Sequence, residues 1–130
     1  MADPASPPPG PARGWLHKFG DAFRGVWLAV TTQSSFAVHI PVAVAACLLA
    51  AWLGISPVEW CLVALAIGMV LASEVCNTSI EEIARGMNTG PHPGIRDALD
   101  IASGLVLVCV ATAIVVGVVI LGPRLWALVA

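Results

Sequence analysis

Apolar and polar positions alternate along this chain in long blocks. Residues 36–55, "FAVHIPVAVAACLLAAWLGI", carry no formal charge. A second apolar block runs from about 58 to 78, with Glu59 and Glu74 near its ends and an uncharged stretch, 60–73, between them. A third runs from about 100 to 122, and 101–123 is free of charge. A spanning helix needs about 20 mostly apolar residues. The first and third blocks meet that requirement outright, and the second does so if its ends reach the interfaces. Ahead of them, residues 13–33 place Trp15, Leu16, Phe19, Phe23, Val26, Trp27 and Val30 at three- and four-residue steps. Arg13, His17, Lys18 and Arg24 fall largely between these positions. That periodicity predicts an amphipathic helix lying on a membrane surface.

The expected architecture is therefore an all-α membrane protein, with one surface helix and three transmembrane helices. Gly86, Gly90, Pro91, Pro93 and Gly94 break the chain between the second and third spans. Pro4, Pro7, Pro8, Pro9 and Pro11 make residues 1–12 a disordered, polyproline-like tail. The tail lacks the basic start and apolar core of a signal peptide. The membrane-embedded domain is expected over 13–130.

Composition agrees with this picture. Of the 130 residues, 58% are apolar and only 11% charged, against roughly 25% charged in soluble domains. The net charge of −2 offers no basic stripe for nucleic acid. Cys47, Cys61, Cys76 and Cys109 stand singly in apolar runs and predict neither a disulfide nor a zinc site. Basic residues set the orientation. Arg13, Lys18 and Arg24 precede the first span, and Arg85 and Arg96 lie between the second and third. The turn around 53–60 has no basic residue. The N-terminus and the 2–3 loop are thus expected in the cytoplasm. Trp52, Trp60 and Trp126 would form the outer aromatic belt.

The chemistry gathers in "SEVCNTSIEEIARG", 73–86. With ~100° per residue, Glu74, Asn77, Glu81 and Arg85 form one helical stripe. Arg96, Asp100, Ser103 and Gly104 start a comparable stripe on the next span. Antiparallel packing would bring the two together at the cytoplasmic surface. Glu82, Asp97 and Glu59 are expected to be solvated. An ionisable residue behind a long apolar run is costly to bury, which marks Glu74 as a functional candidate and suits it to act as a general base. Glu81, nearer water, could hold a divalent cation, and Asn77 adds hydrogen-bonding capacity without charge. A base at the hydrocarbon edge and a metal-binding carboxylate outside it suit phosphoryl transfer between a cytoplasmic donor and a lipid hydroxyl. A small transporter would instead place polar residues at the bilayer midplane.

The run Glu74-Val75-Cys76-Asn77-Thr78-Ser79-Ile80-Glu81 resembles the E-x-x-N-[TS]-[AS]-I-E pattern of the small prokaryotic diacylglycerol kinase and undecaprenol kinase family. His92-Pro93 with residues 98–108, "VEWCL" (58–62) and "FAVHI" (36–40) are similar to the family's loop and spans. The resemblance covers about 20–123. It implies a homotrimeric lipid kinase of the bacterial inner (cytoplasmic) membrane, using ATP and Mg²⁺ to phosphorylate diacylglycerol or undecaprenol. It further implies Glu74 as base, Glu81 as metal ligand, Asn77 near the γ-phosphate, and Asp100 in a nucleotide site built from more than one subunit. Three positions depart from the pattern. Gln33 stands where the family has a metal-binding Glu, Arg85 where it has Asp, and Leu99 where it has Lys. Arg85 and Arg96 are the candidates to replace the missing cation on the ATP phosphates. A relative that has lost kinase activity and serves a structural or regulatory role is the alternative.

Overall fold

The computed structural model describes residues 14–87, 90 and 92–130. The proline-rich tail, Arg13, Asn88, Thr89 and Pro91 lie outside the described residues. Four helices are present among the described residues: α1 (Trp15–Thr32), α2 (Phe36–Trp52), α3 (Pro57–Gly86) and α4 (Pro93–Val129).

Helices α3 and α4, of 30 and 37 residues, are each long and apolar enough to cross a membrane. Helix α4 runs well beyond the expected span at both ends. It starts at Pro93, and Pro123 does not stop it. Helix α2 is shorter than the uncharged block that encodes it, at 17 residues, the low end of the range that spans a bilayer. It joins α1 at an angle of 101°, and the two meet the length and hydropathy of a span only as a bent pair. Gln33 ends α1, its backbone N–H bonded to the Ala29 carbonyl.

The α2–α3 turn is tight because its residues suit it. Gly54 adopts φ +60°, a left-handed conformation that costs L-residues about 1–2 kcal/mol. Its N–H reaches the Ala51 carbonyl, and the Ile55 N–H reaches the Ala50 carbonyl. These paired bonds close the end of α2 in a Schellman motif. Ser56 then caps α3: Glu59 N–H donates to Ser56 Oγ at 3.3 Å, and Ser56 N–H donates to Glu59 Oε2 at 2.7 Å. Pro57 fills the first helical position, where its missing N–H has no intrahelical acceptor to lose.

Helices α3 and α4 form the most extensive pair, with α2 against α3. The core under the turn comprises Ala50, Ile55, Val63, Ile120 and Leu121. Ala50 is fully buried. Most large apolar side chains elsewhere face outward, among them Leu65, Leu107, Val115 and Val119. Such a surface is compatible with lipid, where the drive to bury apolar groups is absent.

Glu59 is not merely solvated, as the sequence suggested. Arg124 NH1 and NH2 bond its two carboxylate oxygens at 2.8 Å each, and NH1 also donates to the Ile120 carbonyl. This two-pronged geometry ties the start of α3 to the far part of α4.

Candidate active site

The polar cluster forms where the start of α2 meets the second half of α3. One turn of α2 begins with Ser35 and returns to the same face at His39. Both side chains reach Glu74, which is 3% exposed. Ser35 Oγ donates to Glu74 Oε2 at 2.7 Å. His39 Nε2 lies 2.9 Å from Glu74 Oε1. Both carboxylate oxygens are thus held. A buried carboxylate without such partners would be strongly disfavoured.

About two turns further along α3, Glu81 accepts from three side chains. Gln33 Nε2 donates at 2.9 Å, Asn77 Nδ2 at 2.8 Å and Arg85 NH2 at 3.3 Å. Within the expected stripe, Asn77, Glu81 and Arg85 are thus joined by hydrogen bonds, Gln33 joins them from the α1–α2 junction, and Glu74 shares a recess with Asn77 and Glu81. Asn77 Oδ1 is buried and has no hydrogen-bond partner among the described residues. Arg85 also pairs with Glu82 at 2.8 Å, so Glu82 is ion-paired rather than simply solvated.

Three recesses surround this cluster. A polar one of about 270 Å³ is lined by Gln33, Ser34, Ser35, Glu74, Asn77, Glu81, Ser103 and Val106. A larger one of about 870 Å³ opens between the end of α3 and the start of α4. Glu81, Arg85, His92, Arg96, Asp97 and Leu99 border it. His92 caps α4 there, its Nδ1 accepting the Gly94 N–H at 3.2 Å. The third, about 200 Å³, is apolar and runs between α2, α3 and α4.

Asp100 does not enter these recesses, contrary to the expected meeting of the two stripes. The face of α4 turned to α3 carries Arg96, Leu99, Ser103 and Val106. Asp100 is ~100° around the helix from Leu99 and is exposed. Arg96 borders the large recess and makes no ion pair among the described residues. Ser103, expected on the α4 stripe, does line the polar recess, while Ser35 and His39 join the site from outside both expected stripes. The four-residue spacing of Ser35 and His39 on an otherwise apolar helix was the available signal.

Among the described residues no three His, Cys, Asp or Glu side chains converge on one point. The side chains that do converge are the Glu81 carboxylate and the amides of Gln33 and Asn77, which here turn their nitrogens to Glu81. Mg²⁺ is commonly held by one or two carboxylates and completed by water and substrate phosphate. The Glu81 carboxylate fits that demand, and Asn77 Oδ1 is an amide oxygen without a partner among the described residues.

The fold and this cluster define an integral membrane protein with a carboxylate- and amide-lined site at one end of its helices. Residues 20–121 match the family described as prokaryotic diacylglycerol kinase. The chain is also 30% identical over 117 residues to the undecaprenol kinase of Bacillus subtilis (strain 168), covering 87% of this chain and 95% of that protein. The chain belongs to the prokaryotic diacylglycerol kinase family, and with it to the membrane lipid kinases.

Proposed function

We propose that this protein transfers the γ-phosphate of ATP to the primary hydroxyl of a lipid alcohol, diacylglycerol or undecaprenol, at the cytoplasmic face of the bacterial inner membrane. The observation that carries this reading is Glu74. It is a buried carboxylate at the inner end of a spanning helix, facing a polar recess and next to an apolar one. In this arrangement the acceptor O–H bond breaks as its proton passes toward Glu74. The hydroxyl oxygen bonds to the γ-phosphorus, the bond from that phosphorus to the β,γ-bridging oxygen breaks, and ADP leaves. General-base assistance of this kind contributes about 10²–10⁴-fold.

The remaining residues position the donor. The recess bordered by Arg85 and Arg96 takes the polyphosphate, and these arginines supply the cations that Leu99 does not. Asn77 holds the γ-phosphate beside Glu74. Glu81, with the Asn77 amide beside it, would hold Mg²⁺, which when bound neutralises phosphate charge. Asp100, exposed on the flank of α4, is placed to serve the nucleotide site of a neighbouring copy in a homotrimer. The 101° junction supports α1 as a helix on the cytoplasmic surface and α2 as the first span.

The test is a radiolabelled-ATP assay on purified full-length protein with diacylglycerol and undecaprenol as separate acceptors. Wild-type protein labels at least one lipid, and Glu74→Gln lowers that rate by about 100-fold or more. Unchanged turnover in Glu74→Gln removes Glu74 from the chemistry. No labelled lipid from wild type with either acceptor favours the structural or regulatory alternative.

A further inference from the structure

Glu81 and Ser103 are the residues common to the polar recess and the larger one. Nitrogen donors hold both Glu81 oxygens. Oε1 accepts from Asn77 Nδ2 at 2.8 Å, and Oε2 accepts from Gln33 Nε2 at 2.9 Å and from Arg85 NH2 at 3.3 Å. The three donors are not equivalent. An amide carries an oxygen beside its nitrogen, and a half-turn of the group exchanges the two. Asn77 and Gln33 can therefore stay beside Glu81 when a cation takes the place of their N–H bonds. A guanidinium has five N–H donors, no acceptor and a permanent charge. Arg85 is thus the neighbour that a divalent cation on Oε2 must displace.

Arg85 is free to leave. Its contact with Glu81 is the longer of two, since NH1 meets Glu82 Oε1 at 2.8 Å. The arginine side chain is 57% exposed, and exposed ion pairs of this kind are weak. It also borders the larger recess, together with Arg96. Phosphate oxygens there can take two parallel N–H bonds from one guanidinium, a stronger and more directional contact than the one to Glu81.

We propose that Arg85 is a positioning residue that closes Glu81 to free divalent cations and opens it when a polyphosphate enters the larger recess. This rests on the readings of that recess as the polyphosphate site and of Glu81 as the cation ligand. A polyphosphate that draws Arg85 away from Glu81 raises the affinity for the cation. By linkage the cation raises the affinity for the polyphosphate by the same factor. Cation and nucleotide then enter together, and free cation in the cytoplasm gains little hold on Glu81 beforehand.

The experiment measures two affinities separately in full-length protein in detergent. Mn²⁺ binding without nucleotide is followed by the electron paramagnetic resonance signal of the free ion. Binding of the non-hydrolysable analogue AMP-PNP is followed by equilibrium dialysis in EDTA. The variants are Arg85→Gln, Arg96→Gln and Arg85→Gln with Glu81→Gln. Both arginines are exposed, so neither substitution empties the core. Arg85→Gln is expected to tighten Mn²⁺ about fivefold and to weaken AMP-PNP about tenfold. Adding Glu81→Gln abolishes the gain in Mn²⁺ affinity. Arg96→Gln removes the same charge from the same recess without touching Glu81, and its Mn²⁺ affinity stays within about twofold of wild type. Unchanged Mn²⁺ affinity in Arg85→Gln overturns the closure. Equal tightening in Arg96→Gln also overturns it, because the overall charge of the recess then accounts for the effect. Tighter Mn²⁺ with unchanged AMP-PNP in Arg85→Gln alone overturns the opening by polyphosphate. AMP-PNP binding that is equal in wild type and in both arginine variants strikes the reading of the recess itself, while the Mn²⁺ comparison, made without nucleotide, still decides the closure.

Discussion

Gln33→Glu reads the electrostatics of the site directly. In wild type the Gln33 amide donates to Glu81 Oε2 at 2.9 Å. The substitution replaces that donor with a second carboxylate at the same place. It removes one hydrogen bond to a charged group, worth about 1.5–3 kcal/mol. It also adds a like charge. Two unit charges 4 Å apart near a protein surface repel by about 4 kcal/mol. Both residues are partly exposed, so side-chain rotation and solvent reduce this to a fraction of the sum. The net expectation is a loss of about 1–3 kcal/mol in the absence of divalent cations. A cation between the two carboxylates reverses the sign of the added term. Purified protein in detergent is melted in EDTA and in millimolar Mg²⁺. Gln33→Glu should melt several degrees below wild type in EDTA and recover most of that difference in Mg²⁺. Its response to Mg²⁺ should exceed that of wild type. Gln33→Ala, which loses the bond without adding charge, should be destabilised in both buffers alike. Equal melting of wild type and Gln33→Glu in EDTA would refute the contact. An EDTA deficit that Mg²⁺ does not repair would refute a cation position beside Glu81.

Other consequences are simpler. Gly54→Ala forces an L-residue to φ +60° and should cost about 1–2 kcal/mol in a denaturation assay. Leu121→Ala empties part of the core beneath the α2–α3 turn and should cost about 2–5 kcal/mol, with the KM for ATP unchanged in a kinase assay. Arg124→Ala strips both bonds from Glu59 and should lower the melting temperature more than the paired change Glu59→Gln with Arg124→Met. The excess, measured as a double-mutant cycle, reports the coupling of the pair.

Helix periodicity made most of this architecture legible. The three- and four-residue steps of α1 and the uncharged blocks of α3 and α4 predict the observed helices because each pattern has one period and one length scale. Glu74, Asn77, Glu81 and Arg85 fell on one stripe because a single unbroken helix carries them all. Contacts between helices were harder to read. Which side of α4 faces α3 depends on ridge packing along the whole pair, so the approach of Leu99 and Ser103, rather than Asp100, was not fixed by local spacing. The Glu59–Arg124 pair joins residues far apart in the chain, and neither residue's neighbours announce the other. Ser35 and His39 look like ordinary members of an apolar run until α3 presents a buried carboxylate to them.

The Arg124–Glu59 contact has a bearing on the opposite end of the molecule. Glu59 and Glu74 lie on the same helix, about 22 Å apart along its axis at ~1.5 Å per residue. One end of α3 is fastened to α4 by the arginine, and the other to the α1–α2 junction by Gln33, Ser35 and His39. The helix is thereby held against sliding along the membrane normal. The buried Glu74 carboxylate then keeps a constant position relative to α4 and the α1–α2 junction. The fork at one end of the bundle acts as a plumb line for the polar cluster at the other.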